Sequence, residues 1–156
     1  MIKHMGRTKP KITEDYIVGL TDGEGCFYVN VSKMSAYRTG WRIQLHFHIK
    51  LQEMDKELLE KVKDTLDCGN VYFQGDKRKN HTNCYRYTVG SQKDIFERII
   101  PFFQQNQLKT ASKRRSFDIF CKIADIICEN GHLDPKGIEK IRKLKSNMNQ
   151  RTNGLA

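Results

Sequence analysis

The stretch Trp41 to Leu51 leaves this chain the least conformational freedom. Trp41, Ile43, Leu45, Phe47, Ile49 and Leu51 alternate with Arg42, Gln44, His46, His48 and Lys50. Alternation of that length sends two sets of side chains to opposite faces of an extended strand and does not fit a helical period. The apolar face must find a core. The polar face has no acidic residue, whereas a solvated sheet face ordinarily mixes both signs, so it points toward a polyanion. Cys26 to Met34 alternates likewise, with Phe27, Val29 and Val31 against Tyr28, Asn30 and Ser32. Val71 to Gln74 and Asn83 to Val89 read as a hairpin around the basic tip Asp76-Lys77-Arg78-Lys79-Asn80-His81.

Between these strands lie helical periods. Thr13 caps a first helix with Glu14 and Asp15 in its opening turn. Glu53 to Leu66 repeats Met54, Leu58, Leu59, Val62 and Leu66 at helical spacing. Ser91 caps a third helix, with Ile95, Phe96, Ile99 and Phe103 inward and a loop from Gln104 after Pro101. Ala111 to Asn130 forms a longer helix stopped by Gly131. Asp134-Pro135 opens a last helix, with Ile138, Ile141 and Leu144 inward and Lys140, Arg142, Lys143 and Lys145 outward. This order predicts an α+β domain: one antiparallel sheet backed by helices. The domain is expected over 13–146, after a basic arm (1–12) and before a loose tail (147–156).

At 156 residues the chain suits one domain, and 38% hydrophobic against 29% charged residues suits a soluble, folded one. Lys and Arg number 28 against 18 Asp and Glu, a formal charge of +10. That excess favours nucleic acid, an anionic membrane or an acidic protein as partner. No apolar run approaches the ~18 residues of a membrane span, and no signal peptide is evident, so an intracellular location is expected, its compartment left open. Five cysteines without a CxxC pair read as reduced thiols.

The chemistry concentrates in Ile17-Val18-Gly19-Leu20-Thr21-Asp22-Gly23-Glu24-Gly25. Gly19 and Gly23, four apart, share a helix face on which a second helix can approach backbone to backbone. Glu24 falls where helix carbonyls lack partners and the dipole is negative. A carboxylate with free carbonyl oxygens there is a hard, oxygen-only site suited to Mg²⁺. The plain alternative is a C-cap and turn.

This nonapeptide resembles the LAGLIDADG motif of homing endonucleases. Gly19, Leu20, Asp22 and Gly25 match, and Glu24 occupies the acidic eighth position; Ile17, Val18, Thr21 and Gly23 depart. The motif occurs once, as in the class that works as a homodimer. The resemblance implies an αββαββα core with a curved antiparallel sheet over roughly 13–130, plus C-terminal helices. It implies Mg²⁺ (or Mn²⁺) bound by Glu24 and the Gly23 carbonyl, with Asp22 structural. It also implies a dimer interface at Ile17, Gly19, Leu20 and Gly23.

By the same resemblance a polar residue, often Gln, closes the second strand. Here Leu51 stands at that position, with Gln52 beside it as the replacement if the strand end twists. A lysine before a late helix falls on Lys109, with Lys113 close behind. Double-stranded DNA would lie on the sheet, read by Tyr28, Asn30, Ser32, Arg42, Gln44, His46, His48, Tyr72, Gln74 and Arg86. Lys33, Arg38, Lys50, Lys77, Arg78 and Lys79 would grip phosphates.

The function so implied is a metal-dependent, site-specific DNA endonuclease. It would cut a long near-palindromic site as a homodimer and promote intron mobility, with no membrane and no small-molecule substrate. The competing expectations are a DNA- or RNA-binding protein that has lost catalysis (an intron maturase or transcription regulator), and a basic protein whose motif is coincidental.

Overall fold

The computed structural model describes residues 11–148. Most of the basic arm and most of the tail expected from the sequence lie outside them.

Helix α1 (Glu14–Glu24) begins at Thr13, whose hydroxyl accepts from the Tyr16 amide, and delivers the nonapeptide directly into strand β1 (Gly25–Lys33). Gly25 permits this join. A Cβ there would lie 2.8 Å from both the Cα and the carbonyl oxygen of Thr21, so any side chain would push the strand off the helix. Strand β2 (Trp41–Gln52) follows, then a 3₁₀ turn at Glu53–Asp55 and helix α2 (Lys56–Leu66). Strands β3 (Asn70–Gln74) and β4 (Cys84–Val89) complete a four-stranded antiparallel sheet ordered β1-β2-β4-β3.

One sheet face is the core face. Phe27 sits at its centre, with ring centroids 5.2 Å from Phe47, 5.3 Å from Phe103, 5.1 Å from Phe117 and 5.4 Å from Phe120. Helix α5 (Ala111–Cys128) packs on β1, and α2 packs on β4 and β2. Helix α6 (Pro135–Met148) packs on α5. The fold is the expected α+β arrangement.

Four local expectations are corrected. Met54 is 83% exposed, because Glu53–Asp55 forms a separate 3₁₀ turn and the apolar stripe of α2 starts later. The third helix runs to Gln105, beyond Phe103 and past the loop start expected at Gln104. Helix α3 (Gln92–Asp94) widens into a π turn at Ile95–Ile99 and continues as α4 (Ile100–Gln105). Such a turn relaxes the hydrogen-bond ladder where proline supplies no N–H. Helix α5 is stopped by Asn130, left-handed at φ 59°, rather than by Gly131. Helix α6 runs to Met148, into the stretch expected to be loose.

Candidate nucleic-acid interface and carboxylate site

The sheet face opposite the core is built from side chains that the register lines up in rows. Ser32 faces Arg42, Asn30 faces Gln44 and Tyr28 faces His46. Cys26, His48, Thr88 and Asn70 form the next row, followed by Lys50, Arg86 and Tyr72, then Gln52, Cys84 and Gln74. No acidic residue lies on this face in any strand. All ten strand residues expected to read DNA therefore share one continuous surface. Cys26, Asn70 and Thr88 join them although no role was expected of them; the two-residue period that marks Arg86 and Tyr72 marks these as well.

Several polar atoms on the face are left without protein partners. Arg86 Nε and Gln74 Oε1 are buried and unpaired among the described residues. Others are engaged: Asn30 Nδ2 donates to Gln44 Oε1 at 3.2 Å. His48 is held neutral, its pKa lowered to about 4 first by burial and then by the charges of Arg86, His46 and Lys113. His46 is also lowered, by burial and by Arg42. Burial raises the Cys26 thiol against the opposing pull of Lys113 and Arg86. At neutral pH both imidazoles thus offer one donor and one acceptor rather than charge.

Of the residues expected to grip phosphates, Lys50 is on the face and exposed, and Arg38 is exposed in the β1–β2 turn. Lys77 and Lys79 are exposed at the β3–β4 tip. Arg78 is not a free cation. Its guanidinium donates to Asp76 (Nη2 to Oδ2, 2.6 Å) and its amide to Asp76 Oδ1 at 3.0 Å, which holds the Asp76 carboxyl well below the usual range. Lys33 belongs to the opposite face of β1, since it pairs with Trp41 and its ammonium lies 5.8 Å from that ring.

At one end of the face stands α1. Ile17, Val18 and Thr21 are buried, whereas Gly19 and Gly23 are exposed, and a Cβ on either glycine would meet nothing within 4 Å. Ile17 is 0% exposed and faces the core, so it is removed from the expected dimer contact; the 100° step per residue places it away from the glycines. Leu20 is half-buried against the core. Each glycine in an exposed helix position costs about 1 kcal/mol relative to alanine, and among the described residues no contact at either position offsets that cost.

Glu24 is the last residue of α1, exposed, with no ion-pair partner among the described residues. Asp22, one helical step earlier, is committed elsewhere. Its carboxylate accepts from the Lys109 amide (3.0 Å to Oδ2), the Thr110 amide (3.1 Å) and the Thr110 hydroxyl (2.9 Å). Burial works to raise its pKa, but these hydrogen bonds prevail and hold it below its ordinary value. Asp22 thereby pins the start of α5 to the motif. In the first turn of α5, Lys113 Nζ donates to the carbonyl of Gly25, adjacent to Glu24. Lys113 rather than Lys109 is the lysine whose side chain bonds to the motif; Lys109 contributes its backbone amide and an exposed side chain. Strand β2 runs past the Gly25–Ile49 pairing to Gln52, which lies opposite Cys84 on the polar face, while Leu51 pairs with Tyr85 on the core side.

The donor set fits a hard divalent cation: a lone carboxylate beside helix-end carbonyls that have no intrahelical partner. It supplies only part of a coordination shell. Among the described residues no group of three or more His, Cys, Asp or Glu side chains could hold a metal. None of the described helices is long and apolar enough to cross a membrane.

An acid-free sheet face beside an exposed carboxylate defines a surface for a polyanion, with provision for a cation. The chain belongs to the LAGLIDADG endonuclease family, whose sequence profile matches residues 17–124. It is 30% identical over 138 residues to a probable intron-encoded endonuclease of Neurospora crassa, covering 88% of this chain and 29% of that one. It is 37% identical over 102 residues to a probable intron-encoded DNA endonuclease of Mycosarcoma maydis, covering 65% of this chain and 34% of that one. The chain thus spans about a third of these relatives' length. The solved homing endonuclease I-TnaI superposes with a TM-score of 0.80 at 30% identity, covering 90% of both chains. I-SmaMI bound to uncleaved DNA in the presence of calcium ions superposes at 0.81 and 31% identity, covering 93% of this chain and 47% of that one.

Proposed function

We propose that this chain is a divalent-metal-dependent homing endonuclease that binds duplex DNA on its acid-free sheet face and cuts both strands as a homodimer. The observation that carries the reading is the juxtaposition at the end of α1: an exposed Glu24 with no ion-pair partner beside an open glycine face, at the edge of the polar sheet surface. Two chains packed through Gly19 and Gly23 bring two Glu24 carboxylates together. Glu24 and the Gly23 carbonyl of each chain would hold Mg²⁺ or Mn²⁺. When bound, such ions activate water and neutralise charge on the scissile phosphate and the leaving oxygen.

The protein's own groups do the rest. Lys113, anchored on the Gly25 carbonyl, places a cation beside the carboxylate site, where phosphate charge develops. Gln52 serves as the polar residue that orders water at the end of β2. The neutral rings of His46 and His48 read base edges with Arg42, Gln44, Asn30 and Arg86, while Lys50, Lys77 and Lys79 hold the backbone. Two-fold symmetry of the dimer then implies a long near-palindromic target, and the intron-encoded relatives support a role in intron mobility.

The test is cleavage of a randomised duplex library with Mg²⁺, with EDTA and Glu24→Gln as controls, followed by sequencing of the ends. Metal-dependent cuts centred on one near-palindrome are expected. Tight DNA or RNA binding without any cuts would overturn the reading in favour of a binding protein that has lost catalysis.

A further inference from the structure

Helix α6 carries charge that its packing does not use. Ile138 and Ile141 face inward; at 100° per residue Lys145 falls one turn further along the same stripe, Arg142 lies beside it, and Lys140 faces away from it. Arg142 and Lys145 are seated on aromatic rings of the sheet. The Arg142 guanidinium lies 4.7 Å from the centroid of Trp41, and Lys145 Nζ lies 5.5 Å from that of Tyr28. Lys33 approaches Trp41 from β1 at 5.8 Å. None of these three cations has a salt bridge among the described residues. Tyr28 belongs to the polar face, opposite His46, and is 43% exposed; β1, which carries it, is an outer strand of the sheet. Between α6 and this strand edge lies a cleft of about 260 Å³ lined by Val31, Trp41, Arg142, Lys145 and Ser146.

We propose that this cleft binds a backbone phosphate of duplex DNA flanking the segment covered by the sheet, with Arg142 and Lys145 as its ligands, so that the C-terminal helix is part of the DNA interface. The inference rests on the DNA-binding reading above. An aromatic seat restrains each long side chain while leaving its N–H groups free, which suits a contact that positions the duplex without reading its sequence. The chemistry also favours a phosphate: two cations with no salt bridge among the described residues, around a cleft whose lining contains no acid, opening next to an acid-free sheet face.

The salt dependence of duplex affinity tests this with the full chain. Each phosphate contact adds roughly 0.9 to the slope of log K against log salt, which is about 3.5-fold in affinity between 50 and 200 mM. Arg142→Gln and Lys145→Gln should each shallow the slope by about that amount, equally for specific and unrelated duplexes. The double variant should lose no more than that amount, because both side chains hold the one phosphate. Arg142→Lys should retain the slope, and Lys140→Gln, an equal charge change on the far side, should leave it unchanged. Unaltered thermal melting shows that the variants fold. Wild-type slopes in folded Arg142→Gln and Lys145→Gln, or an equal loss in Lys140→Gln, overturn the proposal while leaving DNA binding intact. A wild-type chain that fails to bind duplex overturns the DNA-binding reading as well.

Discussion

Replacing Asp22 with alanine removes the acceptor for two backbone amides and one hydroxyl at the start of α5. Losing a helix N-terminal acceptor costs about 0.5–2 kcal/mol, and bonds to a charged acceptor lie near the top of the usual range. Because Lys109 and Thr110 are exposed, water recovers part of the loss, which leaves about 1.5 kcal/mol. At this chain length that is a fall in Tm of roughly 3–6 °C. Asp22→Asn keeps one oxygen acceptor and should recover about half. The Asp22 carboxyl is held below its ordinary value, so its contribution is complete above the unfolded pKa of 3.8 and disappears as pH falls through the folded value. The stability gap between wild type and Asp22→Asn should therefore close below about pH 4. Activity should suffer beyond stability, since freeing the start of α5 detaches Lys113 from Gly25. A ~1 Å displacement can cost on the order of 100-fold, so kcat should fall at 25 °C while the KM for DNA stays put. Thermal melts with and without Mg²⁺, paired with steady-state cleavage, read both effects. An alanine variant that melts like wild type but loses its Mg²⁺-induced shift would refute the anchoring argument and make Asp22 a metal ligand.

Glu24→Gln should abolish cutting while leaving DNA affinity within a few-fold, as measured by gel shift in EDTA, because it removes a metal ligand and no donor. Proportional loss of binding would count against the ligand role. Gly19→Ala should raise the melting temperature of the isolated chain slightly, as alanine favours helix over glycine by about 1 kcal/mol and its Cβ meets nothing in the chain. Gly19→Leu should reduce the sedimenting species to one chain, and a persistent dimer would sink the glycine-face contact. His48 should titrate by NMR with a midpoint near 4 in the DNA-free protein. Since this pKa lies below the unfolded value, its neutral form favours folding and that contribution is lost as pH falls from about 6.5 toward 4. A midpoint above 6 would show that the burial and the neighbouring cations do not act as described.

The strands were legible because a two-residue period needs no knowledge of partners: Trp41 to Leu51 dictates its own faces, and the register then stacks Asn30 on Gln44 and Tyr28 on His46. What periodicity cannot supply is direction around an element. It gave Arg142 and Lys145 as outward, yet could not show that outward meant over Trp41 and Tyr28, since that depends on where α6 crosses the sheet. Ile17 was assigned to the glycine face because the motif was read as a unit, whereas its turn angle sends it into the core. Lys109 and Lys113 are told apart only by tertiary bonds that spacing cannot show: Asp22 accepts from the amide of the first, and the Gly25 carbonyl from the ammonium of the second. The β2–β4 pairing persists to Gln52, which keeps that residue on the polar face of the sheet.

If the reading of α1 holds, the contact that forms the dimer also assembles the metal site, and the two equilibria must be linked. Glu24 lies one residue beyond Gly23, so two helices crossing at the glycines bring two unpaired carboxylates together at two negative helix ends. Without a cation that arrangement is repulsive and the dimer is weakened. With divalent cations held by those carboxylates it would become attractive. Reciprocity then requires metal to tighten the dimer by the factor by which dimerisation tightens metal binding. A modest coupling of about 1.4 kcal/mol corresponds to tenfold, so the dimer dissociation constant measured by analytical ultracentrifugation should fall about tenfold from EDTA to saturating Mg²⁺. Glu24→Gln should reverse the first sign and remove the second: tighter association than wild type in EDTA, with no response to Mg²⁺. A wild-type dimer indifferent to Mg²⁺, or a variant that dissociates more readily than wild type in EDTA, would place the carboxylates away from the interface and separate the glycine contact from the site.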